Sequence, residues 1–312
     1  MPQNRKSKYI PIIKIAGIGG AGGNAITRMA EKIHLVETIA INTDLQDLGK
    51  TIAKRRIQIG KTLTGGRGAG MNPEIGRQAA EENKDDIAKA LDGAELVFLT
   101  CGLGGGTGSG ATPVIADIAK SLGALTVAVV TMPFEFEGAQ RKRIAETSWE
   151  NLVKVVDAII TVPNDRIFAL ISRTTPINKA FYQIDEVLRS GVQGIVDLIS
   201  RPGLINIDFA DVKTILETAG PSLLSIGYGA GENRARTAAE FAINSPLLDV
   251  TIDGAKGVLF SVSARSLTLS EVHDAANIIT ESIDRNARVI FGATFDPKIE
   301  KKEAKVTVVA TG

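Results

Sequence analysis

The sequence predicts an α/β protein: a parallel sheet with helices on both faces, one long connecting helix, and a smaller α/β unit. Three observations predict it. Short apolar runs alternate with helix-like stretches through the first half, as strand–helix–strand units do. One helical periodicity then runs unbroken from Pro176 to Ser200. Beyond it the alternation resumes on a smaller scale and ends on the apolar stretch KVTVVATG. A chain of 312 residues suits about two domains and can bury a stable core without disulfides or metals.

In order, the candidate strands of the first half are Ile12–Ala16, Thr38–Ile41, Ile57–Ile59, Leu96–Thr100, Leu125–Val130 and Ala158–Val162. Their apolar runs suit burial on both faces. Helical patterns lie between them near residues 23–33, 74–91, 111–121 and 138–155. In the next segment Ile177, Phe181, Ile184, Leu188, Val192, Ile195 and Ile199 recur in steps of three and four, which puts them on one helical face. Pro176 suits the first turn, and Arg201-Pro202-Gly203 stops the helix. At ~1.5 Å per residue it spans roughly 37 Å, enough to cross a domain. Strands near 222–228, 257–263, 288–293 and 305–310 then alternate with helices near 209–218, 232–243 and 271–284. The expected division is 1–175, 176–202 and 203–312.

Composition narrows the function. Lys and Arg number 36 against 35 Asp and Glu, a net charge of +1, which argues against a polyanion-coating protein; no nucleic-acid partner is expected. One cysteine, Cys101, and two histidines, His34 and His273, are too few for a disulfide or a thiolate or His-rich metal site. Cys101 reads as a buried small hydrophobe, and the histidines as structural or surface residues. The N-terminus lacks the apolar core of a signal peptide, and nothing approaches ~18 apolar residues in a row. A cytoplasmic protein without membrane insertion is expected. Glycine is the anomaly: 32 residues, of which 19 fall in residues 1–110, so an excess over the ordinary ~7% is concentrated there.

That excess gathers in two loops. Gly17-Ile18-Gly19-Gly20-Ala21-Gly22-Gly23-Asn24 follows the first strand and opens a helix. Glycines admit backbone N–H groups to phosphate oxygens, and a helix N-terminus adds partial positive charge. Gly17, Gly19 and Gly22 also match GxGxxG, with Asp44 at dinucleotide-fold spacing, so a dinucleotide enzyme stays open on this loop alone. The bland reading is a tight turn with no ligand. The second loop, Gly104-Gly105-Gly106-Thr107-Gly108-Ser109-Gly110, is not required by a nicotinamide fold. Two such loops at one sheet edge can surround a triphosphate. A Walker A loop is absent: Gly60-Lys61-Thr62 has its tail, but position 55 is Arg.

GGGTGSG resembles the signature of the tubulin and FtsZ superfamily of polymerising GTPases. GIGGAGGNA at 17–25, NTD at 42–44, GAGMNPEIG at 68–76, PFEFEG at 133–138, VPND at 162–165 and RPGLINIDFADV at 201–212 resemble bacterial-type FtsZ in the same order. The resemblance covers about residues 10–312. It implies a Rossmann-like GTP-binding domain, a long central helix and a smaller C-terminal α/β domain that activates hydrolysis and supports assembly.

It also implies site residues. Gly20, Ala21, Gly22, Gly23 and Asn24 would line the phosphate and base region. Gly104, Gly105, Gly106, Thr107 and Gly108 would hold phosphates, and Ala69, Gly70 and Met71 would sense the γ-phosphate. Family members commonly carry a small residue at the Met71 position. Asn42 and Asp44 stand near the nucleotide, or are merely turn caps. Thr131, Pro133, Glu137, Arg141 and Asn164 would reach the ribose and purine, though Glu137 and Arg141, four apart, also suit a surface ion pair. Phe181 and Asp185 would clamp guanine, the ring on the base face and the carboxylate on N1–H and the 2-amino group; the bland reading makes Phe181 core and Asp185 solvated.

Asn206, Asp208 and Asp211 would form a catalytic loop that enters the pocket of the next subunit, with both acids polarising water. Locally, Asp208 reads as an N-cap and Asp211 as a first-turn acid. Head-to-tail contacts do not close, so they build filaments. Mg2+ is expected on the phosphates, largely through water, with no protein ligand assigned. The implied function is a cell-division cytoskeletal GTPase at the division site, binding GTP and GDP. A non-division tubulin-like filament remains the nearest alternative. Family members usually continue into a linker and a terminal peptide; division-ring proteins and membrane tethers are expected only through such a tail, which this chain, ending at Gly312, does not include.

Overall fold

The computed structural model describes residues 11–30, 33, 35–169, 171–172, 174–200, 203–245 and 252–312. His34 and the stop residues Arg201 and Pro202 lie outside them. The chain runs β1 (Ile13–Ile18), α1 (Gly19–Ala30), β2 (Val36–Asn42), α2 (Leu45–Lys50), β3 (Arg55–Gln58), α3 (Lys61–Thr64), α4 (Pro73–Glu82), α5 (Lys84–Leu91), β4 (Leu96–Gly102), α6 (Gly106–Ser121), β5 (Leu125–Met132), α7 (Ala139–Val153) and β6 (Ala158–Pro163). It continues through α8 (Ile177–Ser200), β7 (Gly203–Ile205), α9 (Phe209–Leu216), β8 (Gly220–Ala230), α10 (Arg234–Ile243), β9 (Gly257–Ala264), α11 (Leu269–Glu281), β10 (Arg288–Phe295) and β11 (Glu303–Thr311).

Among the described residues the strands form one sheet, ordered β3-β2-β1-β4-β5-β6-β8-β11-β9-β10-β7. The first six are parallel. The apolar runs of β1, β4 and β5 are buried along nearly their whole length, as helices on both faces require. The outer strand β3 reads Arg-Arg-Ile-Gln, with both arginines exposed; charge at an open edge discourages pairing with another chain. The sequence expected two units but not a shared sheet. They join at a short parallel seam, Ala158–Ile160 against Gly220–Ser222. Beyond the seam β11 runs antiparallel to both neighbours and β10 parallel to β9.

Helix α8 lies on one face of this sheet. Leu188, Val192, Ile195 and Ile199 share a core with Phe98 and Val127 of the first unit and Leu259 and Val309 of the second. Two glycines allow the approach: a Cβ on Gly191 would sit 2.6 Å from Leu224, and one on Gly194 3.0 Å from Thr307. On the other face α4, α5, α6 and α7 cover a second core containing Ile18, Ile87, Ile115 and Leu152. Helices α10 and α11 cover the second unit.

Three helices differ from expectation, and the first is α1, which starts at Gly19, before the predicted 23. The predicted 74–91 stretch is two helices broken at Asn83, whose Oδ1 accepts from Gly60 N at 2.9 Å. Helix α6 starts at Gly106, well before the predicted 111. Its glycines let it lie against α4: a Cβ on Gly110 would stand 1.8 Å from Pro73 O, and one on Gly76 2.3 Å from Gly106 O. Part of the second loop's glycine content is therefore packing.

Candidate functional site

The glycine loops sit at the carboxyl ends of β1 and β4, where ligands bind in open parallel sheets. Helix α1 begins within the first loop, at Gly19 with φ +73°, and α6 begins beside it. Gly19 and Gly108 are neighbours: a Cβ on Gly19 would lie 3.1 Å from Gly108 N. Neither helix has an acid in its first turn, and the N-cap of α6, Gly105, makes no side-chain cap bond. The first N–H groups of a helix have no partner within it, so two sets of donors with the positive ends of two dipoles converge here. A Cβ on Gly105 would meet nothing within 4 Å. That glycine faces open space, whereas Gly106, Gly108 and Gly110 are packed.

The other predicted segments close around these termini. Ala69 and Asn72 rest on Gly106, where a Cβ would be 2.8 Å from Ala69 Cβ and 2.9 Å from Asn72 N. Between them Gly70 and Met71 have φ of +56° and +60°; Met71 is exposed, and a side chain is uncommon at that φ. Ala21 abuts Gly102, and Gly104 abuts Arg141 O and Pro133. Thr131 is buried beside Gly102. Gly20 and Gly23 face Asp47 and Thr51, two neighbours that the sequence reading missed. Ala21 and Asn24 are exposed on the first turns of α1, and Gly22 and Gly23 are buried.

Several predicted side chains carry local duties. Asp44 caps α2, accepting from Gln46 N at 2.9 Å and Asp47 N at 3.0 Å. Asn42 accepts from Asp44 N at 3.2 Å. The turn-cap reading of both thus holds in the structure. Thr107 is buried with its Oγ1 2.7 Å from Thr43 Oγ1, and Thr43 is fully buried. Glu137 pairs with Arg141 and accepts from Phe134 N at 2.9 Å, which pins the loop after β5.

At the far side of the loops stands an aromatic group. The Phe181 ring meets Phe134 edge-on at 5.8 Å and is 42% exposed. It is open to a base, not core. Phe136 stacks on Phe134 at 4.8 Å. Asp185, four residues on from Phe181, pairs with Arg28 of α1 and so is not simply solvated. Asn164 is buried after β6, and its Oδ1 has no hydrogen-bond partner. A buried acceptor without a donor is costly, so this atom suits a ligand N–H or O–H. The site as a whole fits a nucleoside polyphosphate: dipoles and open space for phosphates, an exposed ring and an orphan acceptor for the base.

The predicted acids are elsewhere. Asp208 caps α9, accepting from Asp211 N at 2.9 Å, while Asp211 accepts from Asp208 N at 3.2 Å. Asn206 accepts from Gly203 N at 2.8 Å. Among the described residues no hydrogen bond or ion pair ties these three to the glycine loops. Phe181 lies near the start of α8 and the acids follow its end at Ser200, with the helical stretch 182–200 between them, ~28 Å at ~1.5 Å per residue. Just past α9, Gly220 N donates to Asp157 O and β8 pairs with the first residue of β6, the end of the sheet opposite the glycine loops.

The family model described as "Tubulin/FtsZ family, GTPase domain" matches residues 12–172, about half of the chain, and "FtsZ family, C-terminal domain" matches residues 220–312. The structure of an empty FtsZ dimer from M. jannaschii is 46% identical, covering 97% of this chain and 89% of that one with a TM-score of 0.91.

The chain belongs to the tubulin/FtsZ family.

A tryptophan-to-tyrosine variant of FtsZ from M. jannaschii, also 46% identical, matches over 97% of this chain and 91% of that one with a TM-score of 0.90. CetZ2 from Haloferax volcanii, a GTPγS-bound protofilament, is 21% identical over 96% of this chain and 93% of that one, TM-score 0.84; at that identity it shows the shared fold. With an FtsZ-family GTPase domain in place, the dinucleotide alternative falls away. The sequence reading missed Thr43 and Arg28, whose partners are 64 residues away and, for Asp185, more than 150 away in the chain. No spacing signal could have found them. Cys101 is buried, and burial pushes its thiol up to about 12. His273 is exposed. No described helix is long and apolar enough to cross a membrane.

Proposed function

We propose that this GTPase assembles head to tail into filaments of the division ring and hydrolyses GTP between subunits. One observation supports the proposal: helix α1, which the first glycine loop opens, packs on the start of α8, and the Asn206–Asp211 loop follows its end. In one copy the acids cannot reach a nucleotide on the glycine loops; in a stack they meet the next copy's pocket.

In this reading the N–H groups at Gly20, Ala21, Gly22 and Gly23 and at Gly104, Gly105, Gly106, Thr107 and Gly108 hold the phosphates, with Asn24 alongside. Ala69, Gly70 and Met71 close over the γ-phosphate, with Asn42 and Asp44 shaping the adjoining turn. Thr131, Pro133, Glu137, Arg141 and Asn164 surround ribose and base, and Phe181 and Asp185 select guanine. Asp208 and Asp211 polarise the attacking water and Asn206 shapes their loop. Mg2+ would ride on the phosphates and water. The working units are 1–175, 176–202 and 203–312, and the site of action is the cytoplasm at the division plane. Tethers and other ring proteins would engage through a tail beyond Gly312.

The test is phosphate release from GTP with Mg2+ across protein concentrations. A rate of zero up to a threshold, then a linear rise, is expected. A rate proportional to concentration from the start would mean a self-contained site and would remove Asp208 and Asp211 from the neighbouring pocket.

A further inference from the structure

Three contacts meet at one side chain that has no role in the site described so far. Arg28 lies in the last turn of α1. It pairs with the Asp185 carboxylate, and its Nη1 donates to the Phe181 carbonyl at 3.1 Å. Its guanidinium carbon lies 5.8 Å from the Tyr182 ring centroid, within cation–π range. All three partners fall within residues 181–185 of α8, and the pair is half sheltered, with side chains 33% and 15% exposed.

We propose that Arg28 is a positioning residue for base selection. It holds the carboxylate of Asp185 at one depth and orientation beside the exposed Phe181 ring. The proposal rests on the reading of Asp185 as the guanine contact. A carboxylate has about four lone-pair sites on two oxygens. A guanidinium can occupy some of them from the α1 side and leave others for the base. Guanine presents N1–H and the 2-amino group together; hypoxanthine presents N1–H alone. Two parallel bonds form well only to a carboxylate whose plane is already fixed, because ordering it at binding costs free energy. A planar, forked donor fixes that plane better than an ammonium does. The carbonyl bond and the ring contact hold the guanidinium itself.

The experiment compares GTP with inosine triphosphate by competition against a fluorescent GTP analogue, at protein concentrations below assembly. Arg28→Met is expected to weaken GTP binding roughly tenfold, about the loss of one charge-assisted bond, and inosine triphosphate less than threefold. The ratio between the two nucleotides should fall, and Arg28→Lys should recover part of it. Equal losses for both nucleotides would make Arg28 a plain brace between α1 and α8 and overturn the proposal. If Arg28→Met does not fold, Arg28→Lys decides: it must lower the ratio, and an unchanged ratio overturns the proposal. Asp185→Asn separates the two ideas. If it lowers the ratio while the Arg28 variants do not, guanine recognition stands and the Arg28 role falls. If it leaves the ratio unchanged, the guanine reading falls and takes the Arg28 role with it.

Discussion

Thr43 is too deeply buried to touch a ligand, yet it contacts Thr107, a residue proposed to hold phosphate. Its hydroxyl is fully buried against that of Thr107. Each hydroxyl has a single proton. If Thr43 donates to Thr107, the Thr107 proton is free to point at a phosphate. Thr43→Val keeps the shape and removes that donor. GTP affinity should fall by about 1 kcal/mol, roughly fivefold, while Thr43→Ser should stay near wild type, as equilibrium binding would read. Cys101 makes a second residue-scale case. With its thiol pushed up to about 12 by burial, partly offset by Thr112, it stays protonated at neutral pH, and the thiol is a poor nucleophile. Native protein should react with a thiol reagent only as fast as it opens, and reactivity should jump in denaturant.

At the level of elements, sequence legibility divided along a physical line. Strands β1, β4, β5 and β6 were readable because burial on both faces forces a continuous apolar run. Helix α8 was readable because one face is buried from Ile184 to Ile199, although Ile177 and Phe181 at its start are exposed. The start of α6 was not: glycines inside a helix look like a loop until their packing partner is known. Helices α2 and α3, at six and four residues, are too short to show a period. In the site, the glycine loops, the caps at Asp44 and Asp208 and the Phe181–Asp185 spacing were legible as local signals. The contacts of Thr43 and Arg28 depend on distant chain and were not.

The same helix α6 offers a paired test. Gly110→Ala would drive a Cβ into Pro73 O and should cost about 3 kcal/mol by overpacking, seen in thermal or denaturant unfolding. Gly105→Ala has room and a negative φ of −94°. It should leave stability within about 0.5 kcal/mol yet weaken GTP binding, since the added methyl enters the space left for phosphate.

For the whole molecule, the decisive geometry is the separation of pocket and acids along α8. It predicts complementation between defective copies. Asp211→Ala should retain GTP and hydrolyse it slowly. A Phe181→Ala, Asp185→Ala double variant should lose nucleotide and be inactive alone. Mixed in equal amounts, the two should release phosphate faster than the sum of their separate rates, up to about a quarter of wild type for random head-to-tail neighbours. A mixture no faster than that sum would argue against shared sites. The seam at Ala158–Ile160 and the shared core under α8 join the two ends of each copy into one body.

A body with a pocket at one end and the acids at the other gives its proposed polymer a counting rule. A stack of n copies holds n nucleotides but only n−1 completed sites. One terminal copy presents its bound GTP to solvent with no acids above it; the opposite terminal copy presents acids with nothing to cleave. The two tips then age differently. The first keeps its triphosphate until another copy arrives, while interior copies convert theirs. Short filaments would waste the largest share of their copies, and a dimer would turn over one nucleotide for every two it carries.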